Sequence, residues 1–496
     1  MLFNSPEFIF VFLPITLLIF FILGGQGYQT LARGALVIAS LFFYGWWNPP
    51  YLILLISSIL INYIIGSALS KQEKNHILLT LGISFNLALI GYFKYANFFI
   101  KTVNDVAGTD FNLHQIILPL AISFFTFQQI AYLVDAYRGE TQEYKLLNYS
   151  LFVTFFPQLI AGPIVHHREV LPQFSSRETY QVKLENLAVG LTIFFIGLSK
   201  KVLIADGVAI YATPIFNAAL NGETLTFYEA WSGALFYTFQ LYFDFSGYSE
   251  MAMGAARMFG ILLPLNFNSP YQAPNIIEFW RRWHITLSNF LRDYLYIPLG
   301  GNRQGEFRRN INLMITMLLG GLWHGAGWTF VFWGGLHGIY LVINNQWRSF
   351  RKFLGHNLHQ VPPWQSGLGC LFTFLVVVIS WVFFRAESME AALSILTSMS
   401  GVNGLTLNSE LVPIKKQLLV QLCLWVWLMP NTQQILEKFR PALQNPTTNL
   451  SPGTGLKTWL QWRPHPLIGI ILGVLFFVIT KQFFDAPQSE FLYFNF

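Results

Sequence analysis

GGLWHGAGWTFVFWGGLHG, residues 320–338, places two histidines inside a strongly apolar stretch. His324 closes the run LMITMLLGGLW and so lies well below any membrane interface. An imidazole at that depth either glues two helices by a hydrogen bond or does chemistry. Its unperturbed pKa near 6.5 suits a general base that takes a proton from a hydroxyl at neutral pH. Gly320, Gly321, Gly325 and Gly327 would let a backbone or a ligand approach closely. His337 follows 13 residues later. In one unbroken helix it would sit about 20 Å from His324 and on another face. The two can cooperate only if the glycines break the helix, so His324 ranks first.

The whole chain has the same apolar character. Of 496 residues, 54% are hydrophobic and 11% charged, against about 25% charged in soluble domains. Mean hydropathy is +0.46. These values describe a polytopic, all-α membrane protein. A net charge of +6 is accounted for by basic loops on the cytoplasmic side of a bilayer. No basic run interleaved with aromatics follows a nucleic-acid groove, so nucleic acid is not expected as a partner. Cys370 and Cys423 lie in apolar runs with no Cys-x-x-Cys spacing, which suits small buried side chains. No metal-ligand set is visible, and the adjacent His166 and His167 read as a polar loop. His76, His114, His356, His359 and His465 fall in loops or span ends without a nameable partner.

A membrane helix needs about 20 mostly apolar residues. Candidates lie near 8–24, 31–47, 51–69, 77–93, 115–134, 187–204, 227–246, 248–264, 310–325, 326–346, 366–385, 415–430 and 467–484, about 11 to 13 in all. The N-terminus lacks the basic flank and cleavage site of a signal peptide and is expected to be a retained first span. Residues 432–465 make the longest expected loop. Pro157, Gly162 and Pro163 predict a broken or re-entrant helix within 150–174. Residues 265–303, aromatic and arginine-rich, read as a long loop at the interface that dips inward. Arg281, Arg282, Arg292, Arg303, Arg308 and Arg309 precede the span pair 310–346, and Arg348, Arg351 and Lys352 follow it. A two-span hairpin puts both clusters on one side, the cytoplasmic one.

Three further positions carry chemical interest. Asp244 follows the apolar run ALFYTFQLYF, where a carboxylate is costly and faces the bundle interior or a cavity, or else caps a helix or pairs internally with an arginine. In EFWRRWHITLS, Trp280 and His284 would share one face if the segment were helical. Arg281 and Arg282 would either hold a phosphate or belong to a basic interface belt.

Taken together, these stretches resemble the membrane-bound O-acyltransferase family, in its bacterial branch that includes the alginate O-acetylation membrane subunit. The resemblance runs through SFFTFQQIAYLVDAYRG (123–139), FPQLIAGPI (156–164), GLSKKVLIAD (197–206), YFDFSGYSEMAMG (242–254), NFNSPY, EFWRRWHITLSNFLRDYLYIPLGG, GGLWHGAGWTFVFWGGLHG, WVFFRAES (381–388) and the ending FLYFNF. It implies one membrane domain over 1–496, with N-terminal spans in 1–140, a catalytic core in 150–346 and C-terminal spans in 347–496. It also implies a ring of helices around a central tunnel, in a bacterial inner membrane. The family's Trp-His-Gly histidine falls on His324 and its Arg-Trp-His histidine on His284. His337, Asp244, Trp323 and Asn289 are possible supporting residues, and Arg281 and Arg282 are candidates for the donor's phosphates. No bound cofactor is implied. Acetyl-CoA would be the acyl donor, and His284 would orient the acceptor or donate to the oxyanion. The acceptor would be an exported polysaccharide such as alginate, reached directly or through an extracytoplasmic acyltransferase partner. Two other readings stay open on the sequence: transfer of D-alanine or another acyl group to an envelope polymer, and a non-catalytic transporter or flippase.

Overall fold

The computed structural model describes residues 1–71, 74–141, 145–160, 162–357, 361–405, 411, 415–443, 461–485 and 491–492. His359, half of the expected loop 432–465 and most of the FLYFNF ending lie outside them. Every regular element among the described residues is helical. The chain is an all-α polytopic membrane protein.

Five helices are long and apolar enough to cross a bilayer: Glu7–Gly25, Tyr51–Lys71, His76–Ala107, Leu184–Leu220 and Pro363–Arg385. Each contains an expected span, and two run well beyond it: His76–Ala107 past 77–93 and Leu184–Leu220 past 187–204. Other expected spans take a different form. Residues 115–134 become helical only from Ile122, because Pro119 biases the residue before it away from helix. Residues 227–264 were expected as two spans, yet Phe227–Met258 is one helix of 32 residues. Gly247 does not interrupt it; there the helix packs so closely on the preceding one that a Cβ on Gly197 would lie 2.5 Å from the Gly247 carbonyl oxygen.

The chain divides into two compact units. The first comprises Met1–Ser199, Gly247–Leu265 and Thr432–Asn495. Its core holds Phe3, Phe8, Phe43, Phe156 and Phe194, all at most 1% exposed. Asn62 and Asn86 exchange amide hydrogen bonds of 3.2 and 2.6 Å between the Tyr51–Lys71 and His76–Ile90 helices, a strong tie where no water competes. Residues 150–174 form the expected broken helix, as Leu146–Thr154, Phe156–Leu159 and His167–Ser175. The expected polar loop at His166 and His167 is not what forms. His167 is buried and its Nε2 lies 3.2 Å from Asp135 Oδ2, itself fully buried. A buried carboxylate needs such partners, and Arg168 adds another at 3.5 Å.

The second unit comprises Lys200–Ser246 and Asn266–Asn431. Its core is aromatic: Trp283, Trp333 and Trp381 are each at most 1% exposed, with ring centroids 5.0 Å apart for Trp283–Trp381 and 5.6 Å for Trp333–Trp381. The Gly305–His324 and Trp328–Phe353 helices pack as an antiparallel hairpin. Gly321 and Gly334 make this possible, since a Cβ on either would run into the carbonyl oxygen of Phe330 or Met317. The hairpin places Arg308, Arg309, Arg348 and Arg351 at one end and His324 at the other.

Candidate active site

The first helix of the hairpin stops at His324. Gly325 and Gly327 are extended, with φ of −158° and −162°, before helix resumes at Trp328. Any residue adopts that backbone; what excludes a side chain at Gly325 is the Phe330 ring, which fills the space a Cβ would take. The glycines therefore do break the helix, as cooperation between His324 and His337 requires.

His324 is 3% exposed. Its ring centroid lies 5.0 Å from Trp323, 5.0 Å from Trp333 and 5.2 Å from Phe384. His337 joins the same cluster through Trp333, at 4.8 Å. Ser380 Oγ donates to the Val377 carbonyl at 2.7 Å, so it accepts from His337 Nε2 at 2.9 Å. That bond ties the Trp328–Phe353 helix to Pro363–Arg385, a structural task.

His284 is brought to His324 by an irregular segment. The helix Ile276–Trp280 ends, a turn follows, and Ile285–Leu291 begins. The shared helical face expected for Trp280 and His284 does not form, because His284 has left-handed φ and ψ of 43° and 53°. Such a conformation costs about 1–3 kcal/mol and survives only where neighbours over-determine it. Here Ile285 N donates to the Asn266 carbonyl at 3.0 Å and Asn268 N to that of Arg282 at 2.9 Å. The His284 ring is fully buried, edge-on to Phe245 at 4.8 Å and with its centroid 6.3 Å from that of His324. It lies outside the five spanning helices, and burial pushes its pKa well down, which keeps the ring neutral.

Of the supporting residues, Trp323 touches both imidazoles, at 5.0 and 6.1 Å between centroids. Asp244 is 1% exposed and pairs with Lys201 at 2.6 Å, and Lys201 also meets Asp206 at 2.9 Å. The internal partner of Asp244 is thus a lysine and not the expected arginine, and it is carried on the π-helical turn Lys200–Ala205. Asn289 is half-buried one turn beyond His284. The amide that contacts His284 is instead Asn266, 3.1 Å from Nδ1. NFNSPY stood among the motifs, but nothing in its spacing singled out Asn266. Arg281 is exposed and held by Glu278 at 2.7 Å, and Arg282 is half-buried. Among the described residues no group of three His, Cys, Asp or Glu side chains could hold a metal ion.

Two buried imidazoles are thus walled by aromatic rings in a helical membrane protein. Comparisons with known proteins give the family of the chain. Residues 79–384 match the model of MBOAT, the membrane-bound O-acyltransferase family. The chain is 46% identical to a peptidoglycan O-acetyltransferase of Helicobacter pylori, over 82% of this chain and 81% of that one. It is 44% identical to the protein named "Probable alginate O-acetylase" of Pseudomonas aeruginosa, over 79% and 73%. Similarity to a teichoic acid D-alanyltransferase of Streptococcus thermophilus is 29%, over 53% and 68%. The chain belongs to the membrane-bound O-acyltransferase family and is an acyltransferase.

Proposed function

We propose that this enzyme moves an acetyl group from a cytoplasmic thioester, acetyl-CoA, to a hydroxyl of a cell-envelope polymer, either an exported polysaccharide or peptidoglycan. The observation that carries this reading is the co-burial of His284 and His324 with ring centroids 6.3 Å apart. His324 takes the proton of the acceptor hydroxyl as its oxygen attacks the thioester carbonyl. The tetrahedral intermediate collapses, the C–S bond breaks, and the thiolate recovers the proton from His324. His284 orients the acceptor or serves the oxyanion. Trp323, Trp333 and Phe384 exclude water and suppress thioester hydrolysis. Arg281 and Arg282 are the proposed contacts for donor phosphates. The enzyme sits in the bacterial inner membrane as one catalytic domain. An extracytoplasmic acyltransferase partner receives the acetyl group or presents the polymer.

Acetyl is favoured over D-alanyl because the relatives named for O-acetyl transfer are 44–46% identical over about four fifths of the chain, whereas the D-alanyl relative reaches 29% over half. A proton-coupled transporter is disfavoured because Asp244, the main mid-span carboxylate, is already neutralised by Lys201.

The test is turnover in lipid nanodiscs with acetyl-CoA labelled on the acetyl group. Wild type is expected to release CoA and transfer label, and His324→Ala to do neither while remaining folded. Equal turnover in the two would make His324 structural. Turnover only with a carrier-linked thioester would replace the proposed donor.

A further inference from the structure

The hydrogen bonds around Asn266 decide the protonation pattern of His284. Asn266 is fully buried. Its Oδ1 receives the Thr286 hydroxyl at 3.0 Å and the Thr286 backbone N–H at 3.4 Å, and it lies 3.1 Å from His284 Nδ1. A backbone N–H only donates, so this atom is the amide oxygen and the side chain is not flipped. An amide oxygen only accepts, so the hydrogen on His284 sits at Nδ1. A neutral imidazole has one donor and one acceptor nitrogen. Nε2 therefore carries the lone pair.

From this geometry we infer that Asn266 is a positioning residue that locks His284 in the Nδ1–H tautomer, so that His284 acts by accepting a hydrogen bond at Nε2 from a hydroxyl of the acceptor and not by donating one to the oxyanion. The inference rests on the acyl-transfer reading above and narrows it, because that reading leaves both tasks to His284. Oxyanion donation from Nε2 would need the other tautomer or an imidazolium, and burial disfavours the imidazolium. The same residue also holds the backbone: the main-chain carbonyl of Asn266 accepts from Ile285 N at 3.0 Å. One residue thus secures both the left-handed turn at His284 and the ring's tautomer. The ring is surrounded by Phe245, Phe267 and Trp323, and the His324 ring lies 6.3 Å away between centroids.

The first experiment is solid-state NMR of the full-length protein in nanodiscs with ring-15N histidine, His284 being assigned by difference from His284→Gln. A protonated Nδ1 and a bare Nε2 are expected in wild type; a protonated Nε2 overturns the inference. This readout needs no turnover. If wild type transfers no acetyl group, the functional reading fails while the tautomer is still decided.

The second experiment uses Asn266→Asp and Asn266→Leu. Aspartate still accepts from Nδ1–H and from Thr286, but it favours the imidazolium. The acid limb of the kcat profile should therefore move to higher pH, with the His324 signals unchanged. Asn266→Leu should lower kcat roughly tenfold or more, as loss of an orienting acceptor does, with KM little changed. A purely structural role predicts that Asn266→Asp leaves the pH profile where it was, and that result overturns the proposal.

Discussion

Lys201 Nζ lies 2.6 Å from Asp244 Oδ1, with both side chains at most 2% exposed. Asp244 precedes Phe245, whose ring meets the edge of His284 at 4.8 Å. The acidic member of a buried ion pair and the ring that contacts His284 are thus consecutive residues of one helix.

Removing one member of that pair strands a buried charge, which typically costs about 3–5 kcal/mol. Asp244→Ala and Lys201→Met are each expected to lower the thermal midpoint sharply. Asp206 should soften the first change, because it lies 2.9 Å from the same ammonium. The double variant should lose less than the sum of the two. A double-mutant cycle on unfolding in nanodiscs measures this, and strict additivity would show that the pair is energetically idle.

His324 and His337 should separate by phenotype. His324→Ala is expected to lower kcat about 10²- to 10⁴-fold, the usual worth of a positioned base, with little change in stability. His337 holds Ser380, so His337→Ala should cost about 1–3 kcal/mol of stability and leave more of the turnover. Melting curves and kcat measured on the same preparations would reverse the assignment if the two phenotypes were exchanged.

Gly321→Ala should pry the hairpin apart. The added Cβ would meet the Phe330 carbonyl oxygen, a backbone atom that cannot swing away. Overpacking of this kind costs about 1–3 kcal/mol and should shift His324, one turn on. Gly335→Ala is the control, because its Cβ would make an ordinary 3.5 Å contact with Leu318. Equal stability and turnover for both variants would refute the close-packing argument.

Around Asp135 the partners should differ in weight. His167 is buried, while the Arg168 side chain is 51% exposed. Arg168→Ala should cost at most about 1 kcal/mol, as exposed ion pairs do. Asp135→Ala leaves a buried imidazole short of an acceptor and should cost about 1–3 kcal/mol. Thermal shifts rank the two, and a larger loss from Arg168→Ala would contradict the burial argument.

Much of the helical framework was legible in the chain itself. A membrane helix satisfies its own backbone within one segment, so the apolar runs at 8–24, 51–69, 77–93, 187–204 and 366–385 suffice to mark spans. Other features depend on neighbours distant in the chain. Residues 227–264 read as two spans, yet Phe227–Met258 is one helix whose Gly247 packs on Gly197. His166-His167 suggests a loop until Asp135, more than 30 residues earlier, is found beside it.

The candidate site divides in the same way. His324 and its glycines form one contiguous motif, and its chemistry could be argued from depth and residue type alone. The left-handed turn at His284, the partnership with Asn266 and the pairing of Asp244 with Lys201 join segments 18 to 43 residues apart. The sequence by itself determined that this is a helical membrane protein with an imidazole at depth, because hydropathy and helix period are local properties. Only the tertiary structure decided which ring nitrogen is held, which charge is neutralised and which glycine is indispensable, because those depend on atoms that chain order does not bring together.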